Sequence, residues 1–311
     1  MRWATFIDKG RQERVGLLCD EKLHALPAGS ALIDLLGDDG ERLARAGERA
    51  QNDADAVFAL EEVQLLPPIP RPPSIRDFYA FEQHARAGRK SRGQELPEEW
   101  FRLPVFYFTN PHALIGQGDA VEVPAGTQCL DFELEVAAVI GRHCTHITPE
   151  QAAEYIVGFT ILNDWSARDL QREEMVVGLG PAKGKDFATS LGPSLVTPDE
   201  IAPRRKGAAY DLEMRAFVNG VQYSAGNLAD IYWSFEEMIS YASRSARIVA
   251  GDIIGSGTCA TGCIVELSQT HSPERFPWLK VGDHVSLTVE ALGALDNHIV
   301  PGKPPMALRG G

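Results

Sequence analysis

Three carboxylates stand at alternating positions in the run Asp131-Phe-Glu133-Leu-Glu135, whose continuation, Val136 to Ile140, is wholly apolar and stops at Gly141. The pattern reads as a strand, and alternate strand residues share a face, so the three acids point one way with neighbours about 6.5 to 7 Å apart. At an effective dielectric near 20 two such charges repel by roughly 2 to 3 kcal/mol, against about 0.6 kcal/mol in bulk water. An exposed strand edge tolerates that repulsion; an enclosed face requires a cation. Two readings follow: a half-exposed antiparallel strand, or an oxygen-only site for a hard cation such as magnesium, calcium or manganese rather than zinc.

Other segments carry groups able to join such a site. The apolar run Ile156 to Leu162 ends in Asn163-Asp-Trp-Ser-Ala-Arg-Asp-Leu-Gln171, so Asp164 falls at the end of a buried strand, where it can act as a ligand or as a helix cap. Upstream lies Arg76-Asp-Phe-Tyr-Ala-Phe-Glu-Gln-His84; downstream lie Lys183-Gly-Lys-Asp-Phe187 and Gly255-Ser-Gly-Thr258, the last expected to precede a strand that carries Glu266. Cys259 and Cys263 flank that last loop and read as small packing residues.

The elements that must hold these residues in place are mostly short and β-rich. Strand-like runs are Trp3 to Ile7, Arg14 to Leu18, Val105 to Phe108, Val121 to Val123, Phe132 to Ile140, Ile156 to Leu162, Leu212 to Val218, Ile264 to Leu267 and Val285 to Val289. Helical patterns cover Ala31 to Arg49, Ser166 to Glu174 with Ser166 as cap, and Ile231 to Arg244. Asn219-Gly220 between two β-like runs predicts a hairpin. The regular strand-helix alternation of a barrel or doubly wound sheet is missing, which leaves an α+β, β-rich fold. Five prolines between Pro67 and Pro73 form an extended linker. We therefore expect a small N-terminal α/β domain over 1–66, a proline-rich linker over 67–73 and a catalytic domain over 74–311.

Composition narrows the partners. With 44% hydrophobic and 23% charged residues the 311-residue chain is ordinary for a globular protein, and its net charge of −13 argues against nucleic acid or an anionic membrane surface as the main partner. The five cysteines form no Cys-x-x-Cys pair, and His143 and His146 lack cysteine partners at zinc-site spacing. Neither a secretory signal nor a membrane-spanning apolar run is seen, so a cytoplasmic protein is expected.

Taken in order, Leu130-Asp-Phe-Glu-Leu-Glu135, the nonapeptide Asn163 to Gln171, Gly184-Lys-Asp-Phe187 and Gly255-Ser-Gly-Thr258 resemble the fumarylacetoacetate hydrolase family over residues 74 to 300. The resemblance implies that family's mixed β-sandwich or roll and a homodimer. It implies a divalent metal, magnesium first with manganese or calcium as alternatives, on Glu133, Glu135 and Asp164, with Asp77 as a fourth ligand. His84 matches the catalytic base, Glu266 the acid that orients it, and Lys185 the lysine facing developing negative charge, with Lys183 a competitor because of one extra residue before this segment. Tyr79, Tyr107, Gln171 and Thr258 match substrate contacts. An arginine expected near a lid over 85–100 is Arg86, Arg89 or Arg92. Asp131 is left as a structural acid bonding nearby backbone N–H groups.

The implied activity is hydrolytic cleavage of a carbon–carbon bond in a β-diketo acid, an acylpyruvate or a fumarylacetoacetate-like compound, with a place in aromatic catabolism. The alternatives are an oxaloacetate-type 2-keto acid decarboxylase or keto–enol isomerase on the same metal, and a binding module in which the metal only staples the fold.

Overall fold

The computed structural model describes residues 1–90 and 93–307; Arg92, one of the three arginines considered above, lies outside them. The fold is α+β. Its largest sheet runs in the order Ala56–Ala59, Lys22–Ala25, Glu13–Cys19, Arg2–Ile7, Thr189–Val196, Ile156–Asp164, Leu134–Ile140, Ile253–Gly255, Ile75–Phe78, Phe106–Thr109. All neighbours on this path are antiparallel except Ile253–Gly255 with Ile75–Phe78. A second sheet orders Val221–Asn227, Glu213–Val218, His284–Val289, Gly293–Val300, Ala120–Glu122. No described helix is long and apolar enough to cross a membrane.

The acidic strand, Leu134–Ile140, lies inside the large sheet and is buried on both faces. Leu134, Val136, Ala138 and Ile140 pack with Met214, Ala216, Leu287 and Leu295 of the second sheet and with Met238 and Ile239 of the helix Phe235–Ala242. Ala137 and Val139 face the other way, into a core shared with Trp3, Val15, Leu17, Ile69 and Ile75. Glu133 and Glu135 lie on this second face by alternation, which rules out the half-exposed strand: Glu135 is 0% exposed and Glu133 5%.

That second core spans residues on both sides of the proline run, and Arg2–Ile7 pairs with Thr189–Val196. The run itself is packed, with Pro67, Pro68, Ile69 and Pro72 buried and the Thr5 hydroxyl donating to the Pro68 carbonyl at 2.7 Å. The division at 67–73 stands as a proposal about segments of chain, since sheet and packing continue across it.

Several local expectations are corrected. Ile264 to Leu267 begins the helix Ile264–Thr270 instead of forming a strand, because four residues, Ile-Val-Glu-Leu, are too few to set a period and Asp131 accepts from the N–H groups of Ile264 and Val265 at 2.6 and 3.1 Å. Ser166 is not a cap: it pairs with Asp131 in a short ladder, its hydroxyl donates to the Asp164 carbonyl, and the helix starts at Arg168. The pattern over 31–49 splits into a short turn of 3-10 helix, Leu32–Leu35, and the helix Glu41–Asn52, parted by Gly37 and Gly40 at φ +98° and +88°. The helix expected over 231–244 is confined to Phe235–Ala242, where Ser234 and Glu237 cap it reciprocally. The hairpin at Asn219-Gly220 forms as expected, with both residues at positive φ.

Candidate metal and acid–base centre

Each motif converges on the acidic strand, and the glycines show why. Ile253–Gly255 lies beside both Leu134–Ile140 and Ile75–Phe78, and a Cβ on Gly255 would come within 2.3 Å of Asp77 Oδ1. Gly257, at φ +74°, brings its N–H to Asp77 Oδ1 at 3.2 Å, and a Cβ there would strike the Phe78 carbonyl oxygen at 2.3 Å. Between them, Ser256 accepts from the Val136 N–H at 3.1 Å, and Thr258 then donates to Glu135 Oε1 at 3.2 Å. Thus Gly-Ser-Gly-Thr is the shape that lets a loop run against the Asp77 backbone and reach the acidic strand. Gly184 plays a similar part, since a Cβ would lie 2.7 Å from the Gln171 backbone, and the close approach sets Lys185 into the site.

Asp77, Glu135 and Asp164 are buried, with ligand oxygens that all lie within 4.8 Å of one another. Glu135 Oε2 and Asp164 Oδ1 receive no hydrogen bond among the described residues. Burial, followed by the charge of Asp164, pushes the Asp77 carboxyl well up, and burial followed by the charge of Asp77 does the same to Glu135. Burial also raises Asp164, against the opposing pull of Lys185. Three crowded acids, two of them with an orphaned oxygen, and an all-oxygen donor set fit a hard divalent cation.

Glu133 sits differently. Its Oε2 accepts from Lys185 Nζ at 2.5 Å and its Oε1 from Arg168 at 2.6 Å. Burial opposes ionisation of Glu133, but the charges of Lys185 and Arg168 outweigh it and hold the carboxyl well below the usual range. Lys185 also contacts Asp164 Oδ2 and stands 5.8 Å from the Tyr107 ring centroid. Burial works against its ammonium, yet Asp164 and Glu133 keep it protonated above the ordinary lysine range. Lys183, the competitor, is exposed and paired with Asp186.

The second half of the centre is a dyad. His84, on the helix Glu82–Lys90, places Nδ1 2.8 Å from Glu266 Oε2, and Glu266 Oε1 is fixed by the Thr261 N–H at 2.9 Å. With Nδ1 so engaged, Nε2 is the nitrogen free for proton transfer. The Tyr79 ring meets the His84 ring edge-on at 5.4 Å.

The expected substrate contacts have partners of their own: Tyr107 donates to Asp164 Oδ2 at 2.6 Å, Thr258 to Glu135, and Gln171 accepts from Arg168 at 3.1 Å. Arg86 pairs with Glu82 on the helix surface and Arg89 with Gln94. The sequence pattern assigns no role to Arg168, although it does show that the acidic face needs a cation. Its buried guanidinium joins Asp131 at 2.8 Å to Glu133, and Asp131 in turn caps the helix bearing Glu266. Acidic face, cap and dyad are thereby one connected network.

Residues 74–300 match the family model for the fumarylacetoacetate (FAA) hydrolase C-terminal domain. The chain belongs to this family. It is 30% identical to an oxaloacetate tautomerase of Bacillus subtilis over 288 residues, covering 89% of this chain and 88% of that one. A solved fumarylacetoacetate hydrolase of Exiguobacterium antarcticum superposes with a TM-score of 0.75 at 25% identity, over 97% of this chain and 100% of that one. A maleylpyruvate hydrolase of Sphingobium, solved with manganese(II) and pyruvate, shares the fold at a TM-score of 0.73 and 23% identity, over 97% and 100% of the two chains.

The crowding of the acids makes a prediction independent of any substrate. In metal-free protein, Glu135→Gln removes one of the mutually repelling carboxyls and keeps an acceptor for Thr258, so stability is expected to rise by about 1 to 3 kcal/mol, the scale of relieving one unsatisfied buried polar group. Thermal melts should show the variant above wild type without metal and unresponsive to added manganese, while wild type is stabilised by it. Equal manganese stabilisation of both proteins would remove Glu135 from the site.

Proposed function

We propose that this chain is a metal-dependent hydrolase that cleaves a carbon–carbon bond in a β-diketo acid of the acylpyruvate or fumarylacetoacetate type. The observation that carries the reading is the buried His84–Glu266 pair at 2.8 Å beside the carboxylate cluster, because hydrolysis needs an activated water and this pair supplies a base. The metal ligands in this reading are Asp77, Glu135 and Asp164, with Glu133 joining them where Lys185 yields its oxygen. Bound there, magnesium or manganese would supply Lewis-acid polarisation of a substrate carbonyl and charge for its carboxylate.

The chain's own residues do the remaining work. Glu266 holds Nδ1–H of His84, so Nε2 takes a proton from water as the water oxygen bonds to the distal carbonyl carbon. Collapse of the tetrahedral adduct breaks the bond to the neighbouring carbon, whose electron pair leaves as the enolate of the keto-acid fragment. The Lys185 ammonium, held protonated between Glu133 and Asp164, faces that developing charge, an arrangement fixed before reaction. His84 then returns its proton to the enolate carbon. One water is consumed, and a carboxylic acid and a keto acid are released, the latter a 2-keto acid when the substrate is an acylpyruvate. Tyr79 steadies the His84 ring; Tyr107, Thr258 and Gln171 orient the acids and the arginine around the substrate. A cytoplasmic homodimer with magnesium belongs to the same proposal.

A second reading is favoured by the tautomerase relative, which matches nearly the full length of both chains. Keto–enol isomerisation of an oxaloacetate-like acid uses the same cluster and needs only proton transfer, for which His84 also serves. Incubating the full chain and magnesium with a panel of acylpyruvates and with oxaloacetate, with and without chelator, separates the two. We expect chelator-sensitive release of an acid and a 2-keto acid from at least one acylpyruvate. Exchange of substrate hydrogens with solvent and no fragments would establish the isomerase instead, and release of carbon dioxide a decarboxylase.

A further inference from the structure

We propose that His84, Cys263 and Glu266 form a second and softer cation site, suited to zinc, whose occupation turns the base off. Only the inhibitory consequence rests on the reading of His84 as the base; the site itself rests on geometry. Cys263 Sγ lies 4.0 Å from His84 Nδ1, Glu266 Oε2 lies 2.8 Å from the same nitrogen, and the ligand atoms of all three residues fall within 4.8 Å of one another. A tetrahedral zinc with bonds of about 2.0 to 2.3 Å sets its ligand atoms about 3.3 to 3.6 Å apart. The nitrogen–oxygen pair must open and the nitrogen–sulfur pair close, each by about half an ångström on that geometry.

The surroundings favour such a change. The Thr261 N–H already fixes Glu266 Oε1, which leaves Oε2 as the ligand oxygen, and Cys263 is anchored by its bridge to Glu133. Burial keeps the Cys263 thiol protonated in the resting protein. A coordinating thiol is deprotonated outright, so binding releases the thiol proton to solvent, while the proton held between Nδ1 and Glu266 is exchanged for one on Nε2. Zinc with one thiolate, one carboxylate and a neutral imidazole carries no net charge, the form in which a buried ion complex costs least. The carboxylate triad, by contrast, offers oxygen alone and suits magnesium or manganese. Two adjoining centres thus select different cations.

The chemistry of the imidazole then dictates the outcome. Once the Nδ1 lone pair is given to zinc, the ring proton resides on Nε2, and the nitrogen that should accept a proton from water has become a donor. Zinc is therefore expected to inhibit without displacing the activating metal.

Cobalt(II) serves as a spectroscopic stand-in for zinc. Full-length protein saturated with magnesium should develop a thiolate-to-cobalt charge-transfer absorption that zinc abolishes, that Cys263→Ala and Cys263→Ser both lack, and that Glu135→Gln retains. With an accepted substrate and excess magnesium, either cysteine variant should keep its basal activity and require about 100-fold more zinc for half inhibition, at or above the upper end of what losing a supporting group costs a metal site. Absence of the charge-transfer band in folded wild type would overturn the site. Equal zinc sensitivity of wild type and both cysteine variants would overturn the switch and place zinc on the carboxylates. The cobalt readout needs no turnover, so it stands or falls separately from the hydrolase reading.

Discussion

His84→Gln is expected to lower kcat on an accepted β-diketo acid by about 100- to 10,000-fold, the range a positioned general base contributes. The side chain is nearly the same length, the carboxylate triad is untouched, and the manganese-induced rise in melting temperature should be unchanged. Glu266→Gln should cost less, because a glutamine oxygen can still accept from Nδ1–H and keep the ring oriented. Its signature is a lowered kcat with little change in KM. Near-wild-type turnover by His84→Gln would show that water is activated elsewhere, and loss of manganese stabilisation in the same variant would show that the two halves of the centre are not separable as drawn.

Arg168→Met is expected to be the most damaging single change to stability, about 3 to 5 kcal/mol by chemical denaturation, because removing one partner leaves buried charges uncompensated. Here the loss is felt twice: Arg168 serves Asp131 at 2.8 Å and Glu133 at 2.6 Å, and both carboxylates are buried. Asp131 also caps the helix Ile264–Thr270, so the lesion should reach Glu266 and through it His84. Arg168→Lys keeps the charge but cannot span two carboxylates and Gln171 with one planar fork, and an intermediate loss is expected. A pairing of Arg168→Met with Asp131→Asn should recover part of the stability, since the second change removes one of the abandoned charges. A double mutant no better than additive would mean that Asp131 does not depend on Arg168.

Much of this centre is legible in the chain because its chemistry is written in local runs. The apolar stretch Val136 to Ile140 marks a buried strand, and acids placed at its head can only be tolerated with cations nearby. Glycines in Gly184-Lys-Asp-Phe and Gly255-Ser-Gly-Thr mark close approach, which the contacts at Gln171, Asp77 and Phe78 explain. What stays hidden is pairing between distant segments. That Arg2–Ile7 completes the sheet beside Thr189–Val196 follows from no pattern in either run. The helix bearing Glu266 reads as a strand because Ile264 to Leu267 is short and mostly apolar, and the Asp131 carboxylate that accepts from its first two N–H groups favours the helix from a distance in sequence. The cation required by the acidic face was read as a metal alone, whereas Lys185 and Arg168 supply part of it from within the chain. Cys263, read as packing, proves to stand 4.0 Å from His84 Nδ1, a proximity that sequence spacing cannot express.

The central claim is that water, activated by His84 and assisted by a metal on the carboxylate cluster, cuts a carbon–carbon bond. Mass spectrometry of the products formed from an acylpyruvate in heavy-oxygen water, with manganese present, tests it in one measurement. The account predicts two fragments, with one solvent oxygen in the carboxylic acid and none fixed by the reaction in the carboxylate of the 2-keto acid. Intact substrate, with neither fragments nor a labelled carboxylic acid formed, would contradict it and leave proton transfer, without hydrolysis, as the chemistry of this site.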